Sequence, residues 1–206
     1  MLIQNLCLGM VQTNCYILQN EETKEVLIID PADNEKAIES RVEKLGGKPV
    51  AILLTHGHFD HIMACEAVAK KYNVPVIAYS DEKELLADPM LNHSAMHTHP
   101  CSIKADIWVN DNDEPKVPGF KFRVLHTPGH TAGSCCYYFY EDNILISGDT
   151  LFYRSCGRTD FATSSPSDMM KSLNRLMTEL PDETYVYPGH EMPTTIGDEK
   201  RFNPFV

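Results

Sequence analysis

A mixed α/β fold is predicted by three features of the sequence. Short apolar runs of strand length alternate with stretches that carry apolar residues at helical spacing. The resulting order of strand, helix, strand, helix implies βαβ units. Both halves follow one plan, strands first and then alternating helices and strands, with no linker, exact repeat or low-complexity tract.

Leu2 to Leu8 and Asn14 to Leu18 alternate in polarity, and Val26 to Ile29 is a continuous apolar run after the polar turn Glu21 to Lys24. The chain should therefore open as an antiparallel meander. From Asn34 on, Ala37, Ile38, Val42 and Leu45 recur at helical spacing, and Gly46-Gly47 stops that helix. Val50 to Leu54 reads as a buried strand, followed by a helix from Met63 to Tyr72, a strand from Val74 to Ala78 and an acidic helix after Ser80. Its acidic stretch, Asp81 to Glu84, reads as a solvated helix start that complements the dipole. Asp88 to Cys101 has no clear period and reads as an excursion of the kind that often covers a site. Strands at Ile107 to Val109, Phe120 to Leu125, Cys135 to Tyr140 and Ile144 to Ile146 follow, with Asp142-Asn143 as a hairpin turn. A helix from Pro166 to Glu179, capped by Ser165, and a strand from Thr184 to Tyr187 precede a polar tail.

The 206 residues fit one domain, taken as 1–206, and at 43% hydrophobic and 23% charged they have the composition of a folded globular chain. With 18 Lys plus Arg against 29 Asp plus Glu, the net charge of −11 repels phosphate backbones and anionic lipid, so neither nucleic acid nor membrane is an expected partner. No apolar run approaches the ~20 residues of a membrane helix, and the start has no basic leader. A cytoplasmic protein is expected. Its seven cysteines are odd in number and include no C-x-x-C pair, which argues against a disulfide framework and a zinc-thiolate knuckle.

The chemistry lies in the histidines. H-x-H-x-D-H, formed by His56, His58, Asp60 and His61, sits where a buried strand gives way to a helix. Roughly one chain in a thousand of this composition would match that pattern by chance. In extended backbone, residues i and i+2 project to one side, so His56 and His58 can grip one ion, while Asp60 and His61 can turn toward a second. His130 in T-P-G-H, Asp149 in S-G-D-T and His190 in Y-P-G-H occupy similar strand-end positions. Imidazole and carboxylate ligands without thiolates suit zinc, iron or manganese in an open, catalytic site.

T-H-G-H-x-D-H, T-P-G-H-T-x-G-S, G-D-T-L-F, G-R-T-D and Y-P-G-H, in this order, resemble the metallo-β-lactamase fold superfamily. G-R-T-D with the T-I-G, E-K-R and N-P-F tail is similar to its glyoxalase II-like (hydroxyacylglutathione hydrolase-like) branch, without the C-terminal helical region of the full-length enzymes. The resemblance spans nearly the whole chain and implies a four-layer αββα sandwich with two divalent ions at one edge of the sheets, zinc first, iron or manganese as alternatives. It implies that His56, His58 and His130 bind one ion, that Asp60, His61 and His190 bind the other, and that Asp149 bridges them. Bound water then ionises near neutral pH and attacks a carbonyl, with Asp60 orienting it, and a thiolate leaving group needs no strong general acid. The implied activity is hydrolysis of a small hydroxyacyl thioester such as S-lactoylglutathione. Two alternatives stand beside it: a mono-iron persulfide dioxygenase using His56, His130 and Asp149, and a non-catalytic metal-binding module.

The remaining polar residues have plainer readings. His126 reads as a core or supporting histidine. His93, His97 and His99 read as surface or lid residues, or as lining of a substrate entrance. Arg158 could form an ion pair with Asp160 or hold a substrate carboxylate. Cys156 reads as a buried or rim thiol. Glu191 would set a negative charge beside the site.

Overall fold

The computed structural model describes residues 1–97 and 99–206. β1 (Leu2–Leu8), β2 (Thr13–Gln19) and β3 (Glu25–Ile29) form the expected meander, α1 (Glu35–Lys44) crosses over, and β4 (Lys48–Leu53) adds parallel to β3. Helices α2 (Phe59–Ile62) and α3 (Cys65–Tyr72) lead to β5 (Val76–Tyr79), and α4 (Lys83–Ala87) and α5 (Ser94–His97) lead to β6 (Ile107–Val109). Both strands extend the sheet in parallel, giving the order β1-β2-β3-β4-β5-β6. In the second sheet β7 (Arg123–His126), β8 (Cys135–Phe139) and β9 (Ile144–Gly148) form another antiparallel meander. The small hairpin of β10 (Leu151–Phe152) and β11 (Ser155–Cys156) comes next. After α6 (Pro166–Glu179), β12 (Tyr185–Pro188) joins parallel to β9, β13 (Thr194–Thr195) pairs at the edge, and α7 (Ile196–Phe202) follows.

The apolar runs explain the layering, because alternate side chains of each strand go to opposite faces. Ile17, Val26, Ile28, Ile52 and Val76 point to one face of the first sheet and pack with Ile38 and Val42 of α1 and Val68 of α3. Their neighbours Leu18, Leu27, Ile29, Leu53 and Ile77 point the other way, into a core shared with Phe122, Val124, Tyr137, Phe139 and Ile146 of the second half. Leu125, Cys136, Leu145 and Val186 face outward onto Met169, Leu173 and Leu176 of α6 and Ile196 of α7. The order helix, sheet, sheet, helix is the predicted αββα sandwich. No helix among the described residues is long and apolar enough to cross a membrane.

Ser165 caps α6 as read from the sequence, its side chain accepting from Asp168 N, and Asn34 caps α1 in the same way, accepting from Ala37 N. Three regions differ from expectation. The helix expected at Met63 begins at Phe59 and breaks at Ala64, whose N–H goes to Pro31 O instead of into a helix. The strand expected from Phe120 begins at Arg123, because Phe120 folds back on Val117 in an isolated bridge. The polar tail is ordered as β13 and α7 around Glu199, a fully buried carboxylate that accepts from Arg154 N, Thr194 Oγ1 and Asn203 Nδ2.

Candidate metal centre

Parallel strands deliver their C-terminal ends to one edge, and the polar motifs sit at those ends. Beyond β4, Thr55 to His58 leave the sheet, with His58 extended (φ −66°, ψ 150°) ahead of α2, whose first turn carries Asp60 and His61. β7 and β9 both pair antiparallel with β8, and β12 pairs parallel with β9, so these three run in one direction. The segments after them carry His130, Asp149 and His190.

All seven predicted residues converge. His56, His58 and His130 form one triad and Asp60, His61 and His190 a second, with ligand-type atoms within 4.8 Å of one another in each. His56, His61 and Asp149 meet the same limit, which joins the two. Asp149 Oδ2 lies 3.5 Å from both His130 Nε2 and His190 Nε2, and its Oδ1 lies 3.5 Å from His61 Nε2. Asp149 therefore faces both triads. A Cβ on Gly189 would collide with Asp149 Oδ1 and His61 Cε1, so the glycine before His190 is a packing requirement.

These residues fit a pair of divalent ions. His56 Nε2, His61 Nε2 and Asp149 Oδ1 are buried with no hydrogen-bond partner among the described residues, a cost that native structures seldom bear without a ligand. Tetrahedral bonds of about 2.0–2.1 Å put neighbouring ligand atoms about 3.3 Å apart. The Asp60 Oδ2 contacts, 3.4 Å to His61 Nε2 and 3.3 Å to His190 Nε2, have that spacing. His58 Nδ1 and His130 Nε2 stand closer, at 2.8 Å, as a hydrogen-bonded pair.

Electrostatics favour cations at the same place. Burial and the neighbouring imidazoles push His56 and His58 well below the usual histidine range, leaving neutral rings with free lone pairs. Burial works against charge on His61 too, but Asp60, Asp149 and Asp30 outweigh it and push it up to about 10. His190 is raised against burial by Asp60 and Asp149. Asp60 is held far below the usual carboxylate range, its burial overcome by His61, His190 and Thr13. The carboxylates thus favour positive charge at both histidines of the second triad, and positive charge is what the cluster requires.

Asp30, which the sequence reading did not single out, supports the second triad from the end of β3. It accepts from Thr55 N at 2.8 Å, Thr55 Oγ1 at 2.7 Å and His61 Nδ1 at 2.9 Å. The available signal was its position, a strand-end Asp before Pro31 beside the strand that leads to His56. Asp30→Asn is expected to weaken the affinity of the second triad for its ion by about 10–100-fold and that of the first, reached only through Thr55 beside His56, by less, measured by ion content against a competing chelator.

A cleft of about 650 Å³ opens over the centre, with Val11, Phe59, Met96, Phe152 and Phe161 supplying apolar wall. The excursion does reach the site: His93 and His97 line the cleft, while His99 is exposed. The His93 ring leans on His58 and Phe161, and that of His97 stacks on Phe59. Arg158 lines the cleft and at the same time forms a two-pronged pair with Asp160, at 2.6 and 2.7 Å, over the Phe161 ring. His126 lies apart from the triads, stacked on Tyr79 and bonded to Ala132 O. Cys156 is a half-buried rim thiol raised by burial, and Glu191 lies on the cleft wall. Glu82 contradicts the reading of its stretch as a solvated helix start, being 1% exposed.

The chain matches the family model described as the Metallo-beta-lactamase superfamily over residues 8–190. A Haemophilus influenzae protein named hydroxyacylglutathione hydrolase GloC is 35% identical over 199 residues, covering 95% of this chain and 93% of that one. Among solved structures, BLEG-1 B3 metallo-beta-lactamase aligns with a TM-score of 0.93 at 39% identity over 99% of both chains. TTHA1623 in a di-iron-bound form aligns at 0.87 and 33% identity, over 98% of this chain and 100% of that one. ETHE1 from Myxococcus xanthus gives 0.83 and 32%, over 99% and 84%.

Proposed function

The chain belongs to the metallo-β-lactamase superfamily, and from that premise we propose that it is a metal-dependent hydrolase of small hydroxyacyl thioesters, with S-lactoylglutathione as the first substrate to test. The observation that carries this reading is Asp149, one carboxylate facing two complete triads. The similarity to the protein named hydroxyacylglutathione hydrolase supports the choice of substrate. When bound, two divalent ions supply water whose pKa falls from about 16 to about 7 and an electrophilic partner for a carbonyl oxygen.

The chain's own residues do the rest. His56, His58 and His130 would hold one ion, Asp60, His61 and His190 the other, and Asp149 both. Asp60 stays ionised, lines the cleft and accepts from Thr13 Oγ1 at 2.8 Å, which fixes a carboxylate where the attacking water needs an acceptor. The apolar walls offer a contact surface for the carbon skeleton of the thioester beside the centre. A departing thiolate, with a conjugate-acid pKa of about 8.5, leaves without a dedicated acid. The substrate is a small molecule, and the reaction belongs in the cytoplasm, where all seven free cysteines stay reduced.

The persulfide dioxygenase alternative, needing only His56, His130 and Asp149, leaves Asp60, His61 and His190 without a task. Zinc-loaded protein is expected to destroy the thioester absorbance of S-lactoylglutathione and to consume no oxygen. Oxygen uptake with a persulfide by iron-loaded protein, together with no thioester turnover, would overturn the assignment.

A further inference from the structure

The first triad draws its histidines from two loops far apart in sequence, the one after β4 and the one between β7 and β8. His56 Nδ1 has Thr55 Oγ1 at 3.2 Å, and His130 Nδ1 has the backbone oxygen of Arg158 at 2.9 Å. Contacts of this kind orient a metal-binding imidazole. His58 has no such anchor, since its Nε2 is buried without a partner among the described residues and its Nδ1 faces His130. Apart from ring contacts with His93 and Phe161, the placement of His58 therefore depends on how its loop backbone is held.

That backbone is held by Glu82, the last residue of the 3-10 turn Ser80–Glu82 after β5. Glu82 Oε2 accepts from the N–H of Gly57, between His56 and His58, at 2.8 Å. Its Oε1 accepts from Thr131 Oγ1 at 2.5 Å and Gly133 N at 2.8 Å, just past His130. Each carboxylate oxygen serves one histidine loop. A Cβ on Gly133 would lie 2.5 Å from Glu82 N and 2.7 Å from Asp81 C, so the glycine of T-A-G-S is what lets this loop close onto Glu82. The same loops also meet through Cys135 N and Thr55 O at 2.9 Å, a link at the sheet end of both. A buried carboxylate is costly to keep for packing alone, and here every donor to it comes from the two loops that carry the triad.

On the reading of the site as a two-ion centre, we propose that Glu82 is a positioning residue that sets the placement of His58 against His130 and thereby the affinity of the first triad for its ion. Glu82→Gln keeps the shape but turns an amide NH₂ toward donors that need an acceptor. Its expected effect is a fall of about 10–100-fold in the ion affinity of the first triad, with the second triad unchanged. Competition titration against a chelator resolves the two steps, and cobalt-loaded protein reports the first triad through loss of its visible absorption. Thr131→Val, which removes one of the three donors, should produce a smaller fall at the same site. If circular dichroism shows Glu82→Gln unfolded, Thr131→Val decides. Wild-type affinity at both sites in a folded variant, or equal weakening of both, overturns the proposal. A wild-type protein that binds no ion overturns the two-ion reading, and the proposal with it.

Discussion

Asp60→Asn is expected to lower kcat/KM for the thioester by at least about 10³-fold, or about 4 kcal/mol of transition-state stabilisation. The substitution changes charge with almost no change in shape. Thr13 Oγ1, now 2.8 Å from Asp60 Oδ2, can donate equally to an amide oxygen, so the first turn of α2 should keep its place. The second triad loses its only carboxylate, the one 3.3 Å from His190 and 3.4 Å from His61. The attacking water loses its acceptor. Steady-state kinetics give the loss, and a thermal midpoint within a few degrees of wild type shows that the fold has survived. Full activity in a folded Asp60→Asn protein contradicts the role given to Asp60.

Removing the ions is expected to abolish turnover and to lower the thermal midpoint. A ligand at 100 times its Kd contributes about 2.7 kcal/mol. At about 2–4 °C per kcal/mol for a chain of this size, each ion is worth about 5–11 °C. The fold should persist without them, because the three apolar layers of the sandwich do not depend on the centre. Scanning calorimetry before and after exhaustive chelation checks this, and adding back a divalent ion should restore both midpoint and activity. Ion-free protein with unchanged midpoint and turnover contradicts the assignment of the centre.

The residues that could be placed from sequence share a physical property: their role is written into local order. His56, His58, Asp60 and His61 fall on one strand-to-helix junction, and His130, Asp149 and His190 each follow a strand beside a glycine. The continuous apolar run at Val26 to Ile29 and the buried strand read at Val50 to Leu54 correspond to β3 and β4, which are covered on both faces. Asp30, Glu82 and Glu199 could not be read in this way. Each is a buried carboxylate whose donors include distant residues: His61 for Asp30, Thr131 for Glu82, Arg154 for Glu199. Composition assigns such residues to the solvent, and for Glu82 that produced the wrong expectation. The polar tail was missed for the same reason, since the anchor of α7 is a charged residue and not an apolar stripe.

The most direct test of the central claim is the fate of solvent oxygen. Ion-loaded protein should be incubated with S-lactoylglutathione in ¹⁸O-water without dioxygen, and the released acid analysed by mass spectrometry. Hydrolysis at this centre predicts one ¹⁸O atom per lactate formed, with one thiol released for each. No lactate under anaerobic conditions, or lactate without the solvent label, would contradict it.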